Sequence, residues 1–226
     1  QSCWQKRSFI IFVLKMKKLS PYIFLIFLFN LYISAQALDE SKNYFKGKFY
    51  SSIKNNFLVA TDKMRDPKFK NTVVVMLDND ESGAFGLVIN KPLGSIPLGS
   101  LIKKLENQNS KKNKLYNIKI PVYWGGPVNV NKIFILHSKE YESKSTRKFK
   151  DVSLSSDYKI LFEIADKKGP KKSLIIMGYS GWGDGQLEGE MEREHWTLSK
   201  LDVDLIFKKN NSKKWLNAIK NSFIRL

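Results

Sequence analysis

Apolar and polar residues alternate in short blocks along the chain, which predicts brief strands, brief helices and polar turns in mixed order. Asn56–Thr61 (NFLVAT) is an apolar run suited to a strand. Asp66-Pro67 marks a turn, because the residue before proline is driven out of the helical region. Thr72–Leu77 (TVVVML) is β-branched and reads as a buried strand, Asn79–Ser82 as a turn, and Gly83–Asn90 (GAFGLVIN) as the returning strand of a hairpin. Leu98, Leu101, Ile102 and Leu105 have the spacing of a short amphipathic helix over 97–105, followed by an Asn/Lys-rich loop over 106–119. Ile120–Trp124 and Ile133–His137 read as strands joined through Gly125-Gly126-Pro127, and residues 138–150 as a basic loop.

Ser156 is placed to cap a helix from Asp157 to about Lys168, with Ile160, Leu161 and Ile164 on one face and Gly169-Pro170 as its stop. Ser173–Met177 (SLIIM) is a buried strand that runs into a glycine cluster read as a tight turn, then a helix from Gln186 to Glu194. Ser212 is read as the cap of a last helix in which Trp215, Ala218, Ile219 and Phe223 share a face. Strands and helices without strict alternation favour an α+β domain over a doubly wound sheet.

Composition changes this picture mainly at the N-terminus. Met16 opens a segment with the parts of a secretory signal: Lys15, Lys17 and Lys18, an apolar stretch from Tyr22 to Ile33, and Ala35-Gln36-Ala37 before Leu38. The stretch is shorter than the roughly twenty residues that span a bilayer as a helix. The expected organisation is an upstream extension and signal over 1–37, a polar leader over 38–51 and one domain over 52–226. Export, to the periplasm, is the expected location; an uncleaved anchor, the one membrane association expected, and a cytoplasmic protein are the alternatives. N-terminal sequencing of the mature chain checks the cleavage.

The 226 residues carry a formal charge of +18, and removal of Lys6, Arg7, Lys15, Lys17 and Lys18 with residues 1–37 leaves +13. Much of the excess sits in lysine pairs such as Lys103-Lys104, Lys167-Lys168 and Lys213-Lys214, without the interleaved aromatics of a nucleic-acid stacking surface. These pairs read as solvated surface, and nucleic acid is not the favoured partner. Cys3 is the single cysteine, which excludes an intrachain disulfide and a Cys-X-X-Cys pair.

Nine of the thirteen glycines fall in three segments, 83–92, 124–128 and 178–190, where they mark backbone positions rather than linkers. With Phe57–Ala60, Asp66-Pro67, Phe69, Leu136-His137 and the Trp215 helix, these segments make the chain resemble the YqgE/AlgH family of bacterial proteins over about residues 52–225. The resemblance implies a single domain with a coiled, branched mixed β-sheet, partly barrel-like and surrounded by helices. It implies no established reaction. One member has been linked to regulation of alginate synthesis, a role whose transcriptional form an export signal argues against.

Known chemistries find little purchase. Ser180 follows a strand, but Gly178-Tyr179-Ser180-Gly181-Trp182 lacks the last glycine of a nucleophile elbow, and the resemblance implies alanine as an alternative there. GWGDGQ is neither a dinucleotide fingerprint nor a P-loop. Glu188, Glu190, Glu192 and Glu194 flank a Leu187, Met191 and His195 stripe, the pattern of a half-buried helix with a solvated or partner-facing acidic side. His137 closes an apolar strand. The sequence therefore points to a binding or regulatory domain without catalytic residues, metal or cofactor, for a small molecule or a protein. Its expected contact residues are Asn90, Lys91, Trp124, Gly125, Gly126, His137, Tyr179, Trp182 and Gln186. The rivals are a hydrolase-like pocket around Ser180, His137 and Glu188, and a transcription-related regulator that binds nucleic acid.

Overall fold

The computed structural model describes residues 53–101 and 117–222; the signal, the leader, Cys3, Lys103-Lys104, residues 102–105 of the expected 97–105 helix, most of the loop after it, and Phe223 lie outside them. The strands are β1 (Asn56–Ala60), β2 (Val73–Asp80), β3 (Gly83–Val88), β4 (Pro92–Pro97), β5 (Lys119–Trp124), β6 (Val128–His137), β7 (Arg147–Lys148), β8 (Ser153–Ser155), β9 (Ser173–Gly183) and β10 (Trp196–Lys200). The helices are α1 (Lys159–Ala165), α2 (Gln186–Glu192), α3 (Val203–Phe207) and α4 (Asn211–Lys220). Among the described residues sheet dominates, as a mixed fold in which helices α1 to α4 are ten residues or shorter.

The sheet path runs β10-β1-β2-β3-β9-β6-β8-β7, with β4 and β5 leaving it as a branch. β9 makes that branch. Its first half pairs parallel with β5 (Tyr123↔Ile176) and antiparallel with β6 (Phe134↔Ile176), and its second half pairs antiparallel with β3 (Gly86↔Ser180). Between the halves Gly178 has φ +72, a left-handed conformation that lets the strand change partners. The glycine cluster is thus strand as far as Gly183, and the tight turn expected from its composition is confined to Asp184-Gly185, where Gly185 has φ +69.

Alternation along β1 and β2 divides the core between two faces. Phe57, Val59, Val73, Val75 and Leu77 pack one way with Leu205, Ile206 and Ala218; Leu58, Ala60, Val74 and Met76 pack the other way with Leu187 and Met191. Ile120, Val122, Ile133, Ile135 and Ile175 form a third cluster against Ile160 and Leu161 of α1. A sheet covered on both sides needs continuous hydrophobic strands, which is how TVVVML and SLIIM read.

Several expectations are corrected at element ends. α1 has no side-chain cap, although Asp157 Oδ1 accepts from the Lys159 N–H at 2.9 Å. α4 is capped by Asn210, whose Oδ1 accepts from the Lys213 N–H at 3.2 Å, rather than by Ser212. Strands β4, β7, β8 and β10 and helix α3 add to the elements expected from the pattern, β7 within the basic loop expected over 138–150.

Candidate functional site

The three glycine segments do meet, and the place where they meet is packed interior. Gly125 N–H donates to Met177 O at 2.8 Å, while Gly125 O accepts from Val88 N–H at 3.0 Å and from Ser180 Oγ at 3.0 Å. A Cβ on Gly125 would lie 2.3 Å from Gly178 O, and one on Gly126 would lie 2.2 Å from the carbonyl of Tyr179. Both distances are impossible for a side chain, so glycine here permits backbone-to-backbone contact between β9 and the β5–β6 junction. Gly125 and Gly126 are accordingly buried against the backbone of β9.

Ser180 is fully buried and its hydroxyl is committed to Gly125 O. His137 pairs in register with Ser173, seven positions earlier on β9, which puts it about 20 Å along the strand from Ser180. The imidazole is buried as well: Nδ1 lies 2.9 Å from Ser138 O, so it carries the proton, and Nε2 accepts from Ser155 Oγ at 3.0 Å. Ser155 Oγ is 2.8 Å from Thr146 Oγ1. Burial holds the His137 pKa below 6.5 and favours the neutral ring. This chain ties the β7 loop to β6, a structural task.

The acidic helix is also more internal than its composition suggests. Glu190 Oε2 accepts from both Trp182 Nε1 (3.0 Å) and Trp196 Nε1 (2.7 Å), and Oε1 accepts from Gln186 Nε2 at 3.1 Å. Gln186 Oε1 in turn accepts from Gly183 N–H at 3.2 Å. Glu188 is buried, which raises its pKa. Trp182 and Gln186 are therefore both committed to the half-buried carboxylate of Glu190, Trp182 from the interior and Gln186 from the exposed side. Asn90 does similar work, accepting from Val73 N–H at 2.9 Å and donating to Asn71 O at 2.8 Å. Among the described residues no three His, Cys, Asp or Glu side chains are grouped to hold a metal.

Lys91 and Trp124 do lie together, on an open groove of about 530 Å³. Trp124 N–H donates to Lys91 O at 2.8 Å and joins the start of β4 to the end of β5. Pro67, Pro92 and Pro127 shape the walls, and Lys68 and Lys91 are the charged lining groups. Leu93 is 54% and Val130 50% exposed here, an apolar contribution that a lone leucine beside prolines does not announce in sequence. Trp124 packs on Phe69 (5.4 Å), which packs on Trp196 (5.5 Å), so the groove floor leans on the tryptophans held by Glu190. Tyr179 lines a different concavity, with Phe85, Phe134 and Arg147. Of the nine residues, Lys91 and Trp124 thus line one concavity and Tyr179 another, Asn90, Gly125, Gly126, His137 and Trp182 are buried, and Gln186 is exposed.

The geometry has counterparts among known proteins. A family model described as AlgH-like (DUF179) matches residues 57–226. A UPF0301 protein of Pseudomonas putida (strain W619) is 37% identical over 157 residues, 70% of this chain and 82% of the relative. A UPF0301 protein of Pseudoalteromonas translucida (strain TAC 125) is 36% identical over 169 residues, 74% of this chain and 90% of the relative. Among solved structures, the solution structure of the AlgH protein from Pseudomonas aeruginosa matches with a TM-score of 0.63 at 35% identity, covering 74% of this chain and 86% of that one.

Proposed function

The chain belongs to the AlgH-like family, and we propose that it is a binding module, not an enzyme, that takes an extended, acidic peptide segment of a partner protein in the groove at Trp124. The observation behind this reading is an open apolar groove flanked by two lysines. Leu93, Val130 and Trp124 offer anchor surface, and three prolines fix its shape in advance, which lowers the entropy lost on binding. Among the described residues neither Lys68 nor Lys91 takes part in an ion pair, so both ammonium groups are open to carboxylates. Apolar anchors ringed by like charges select a peptide with apolar side chains between Asp or Glu. The buried hydroxyl of Ser180, bonded to a carbonyl, supports the non-catalytic half of the proposal. The signal-like residues 16–37 support a place outside the cytoplasm.

Fluorescence anisotropy of a labelled Glu/Leu/Phe-rich peptide tests the reading. Trp124→Ala and the pair Lys68→Glu, Lys91→Glu are each expected to weaken binding about tenfold or more, the order of a lost hot spot. Equal binding of a lysine-substituted peptide, or no effect of Trp124→Ala, overturns it. Concentration-dependent dimerisation lost with Leu93→Asp would replace the peptide by a second copy of this chain.

A further inference from the structure

The register of β6 opens a second concavity that the peptide groove does not use. Between the pairs Val128↔Tyr179 and Ile133↔Met177, β6 advances five residues while β9 advances two. The surplus leaves the sheet as an excursion that starts with Asn129 at φ 47 and passes over Gly178, where a Cβ would sit 3.3 Å from Val130 Cα. Val130 lines the peptide groove, while Asn129 and Lys132 line the second concavity, of about 310 Å³.

One wall is aromatic. Phe85 packs against Tyr179 (centroids 5.1 Å apart) and Phe134 (5.8 Å), and Phe134 meets Tyr179 edge-on at 6.0 Å. The opposing side carries two cations, Lys132 and Arg147, and one carboxylate, Asp78. Lys132 Nζ stands 5.1 Å from the Phe134 ring centre, and among the described residues it has no ion pair. Arg147 is 66% exposed and stacks over Phe149 at 5.5 Å. Its nearest carboxylate oxygen, on Asp78, is 3.6 Å away, beyond hydrogen-bond length, and Asp78 is already held by Lys54 at 2.7 Å. Ser145 and Ser156 add hydroxyls to the lining. The buried His137–Ser155–Thr146 chain anchors the residue next to Arg147.

We propose that this concavity binds a small anion carrying an aromatic ring, of the nucleoside monophosphate class, with the phosphate between Arg147 and Lys132 and the ring on the Phe85–Tyr179 wall. Guanidinium and ammonium supply the donors that phosphate takes, and a planar base gains from the ring faces what a hydrated inorganic ion does not. The volume falls at the lower end of the roughly 300–1,000 Å³ usual for ligand pockets, a fit for a mononucleotide rather than a dinucleotide.

Calorimetric titration of the protein with adenosine 5′-monophosphate, with inorganic phosphate and adenosine as separate probes, tests this. The nucleotide should bind at least tenfold more tightly than either part, and more weakly as salt rises. Arg147→Glu and Lys132→Glu are both exposed changes that leave the core intact, and each should weaken the nucleotide tenfold or more while peptide binding at Trp124 is unchanged. Inorganic phosphate binding as tightly as the nucleotide, no binding of the nucleotide, or full-strength binding by the Arg147→Glu, Lys132→Glu double variant overturns the proposal.

Discussion

Replacing Lys214 by methionine should change how stability responds to alkali. Lys214 is read from sequence as half of a solvated lysine pair, yet its side chain is fully buried in α4. Its Nζ donates to Ile89 O at 2.9 Å and stands 5.4 Å from the Tyr123 ring centre, and among the described residues it has no ion pair. Burial lowers its pKa from 10.5 to about 8. The unfolded chain therefore holds this proton more tightly than the folded protein. Below about pH 8 the folded state carries the full cost of a buried ammonium; stability rises as pH climbs from about 8 to 10.5 and the gain is complete above that. A shift of this size corresponds to about 3 kcal/mol at most. Methionine keeps the length and removes the charge, but it leaves Ile89 O without its donor, at about 1–3 kcal/mol. The two effects offset near pH 7, where parent and variant should differ by no more than about 2 kcal/mol. By pH 10.5 the parent should have gained about 2–3 kcal/mol relative to the variant. Urea unfolding followed by tryptophan emission at half-unit pH steps measures this, and the difference between the proteins cancels other titrations. One of those is Tyr141, pushed up to about 12 by burial and its hydrogen bond to Glu163. A difference that stays flat from pH 7.5 to 10.5, or falls as pH rises, refutes the assignment of a strained ammonium at this site.

Two further substitutions probe the interior. Glu190→Ala strands the indole N–H groups of Trp182 and Trp196, which are 7% and 1% exposed, and should cost about 2–5 kcal/mol with a shift in tryptophan emission; an unchanged melting temperature would show that the shared carboxylate matters little. Gly126→Ala forces a Cβ to 2.2 Å from the Tyr179 carbonyl at φ +147 and should cost about 3 kcal/mol or more, whereas Gly183→Ala, with nothing within 4 Å, should stay within about 0.5 kcal/mol in the same denaturation series.

Where a residue's environment is set by burial on both faces of the sheet, its role is readable in advance. Val73–Leu77 and Leu174–Met177 are continuous hydrophobic runs because neither side of these stretches of β2 and β9 meets water. β4 is opaque for the opposite reason. PLGSIP has proline at both ends and glycine inside, its first four residues are exposed, and only pairing with β5 makes it a strand. The same limit separates Lys91 and Trp124, which stand beside glycine and proline signals, from Leu93 and Val130, whose exposure follows from the paths of β4 and β6. Lys214 and Glu190 look like surface charges because a sequence carries the charge but not the carbonyl or indoles that receive it.

The glycine segments that carry the family resemblance mark the scaffold, and the two concavities lie one layer outside it. Without Cβ atoms at 125, 126 and 178, the β5–β6 junction can rest directly on β9, and Gly125 can bond Val88, Met177 and Ser180 at once. That contact fixes where β6 rejoins β9, and the residues left over become the excursion between Val128 and Ile133. Its successive side chains then supply Asn129 and Lys132 to one concavity and Val130 to the other. A side chain added at Gly126 would therefore disturb both concavities at once, while changes at Lys91 or Arg147 would alter one each. The glycines fix where the two concavities open, and the residues of the excursion and its neighbours supply their lining.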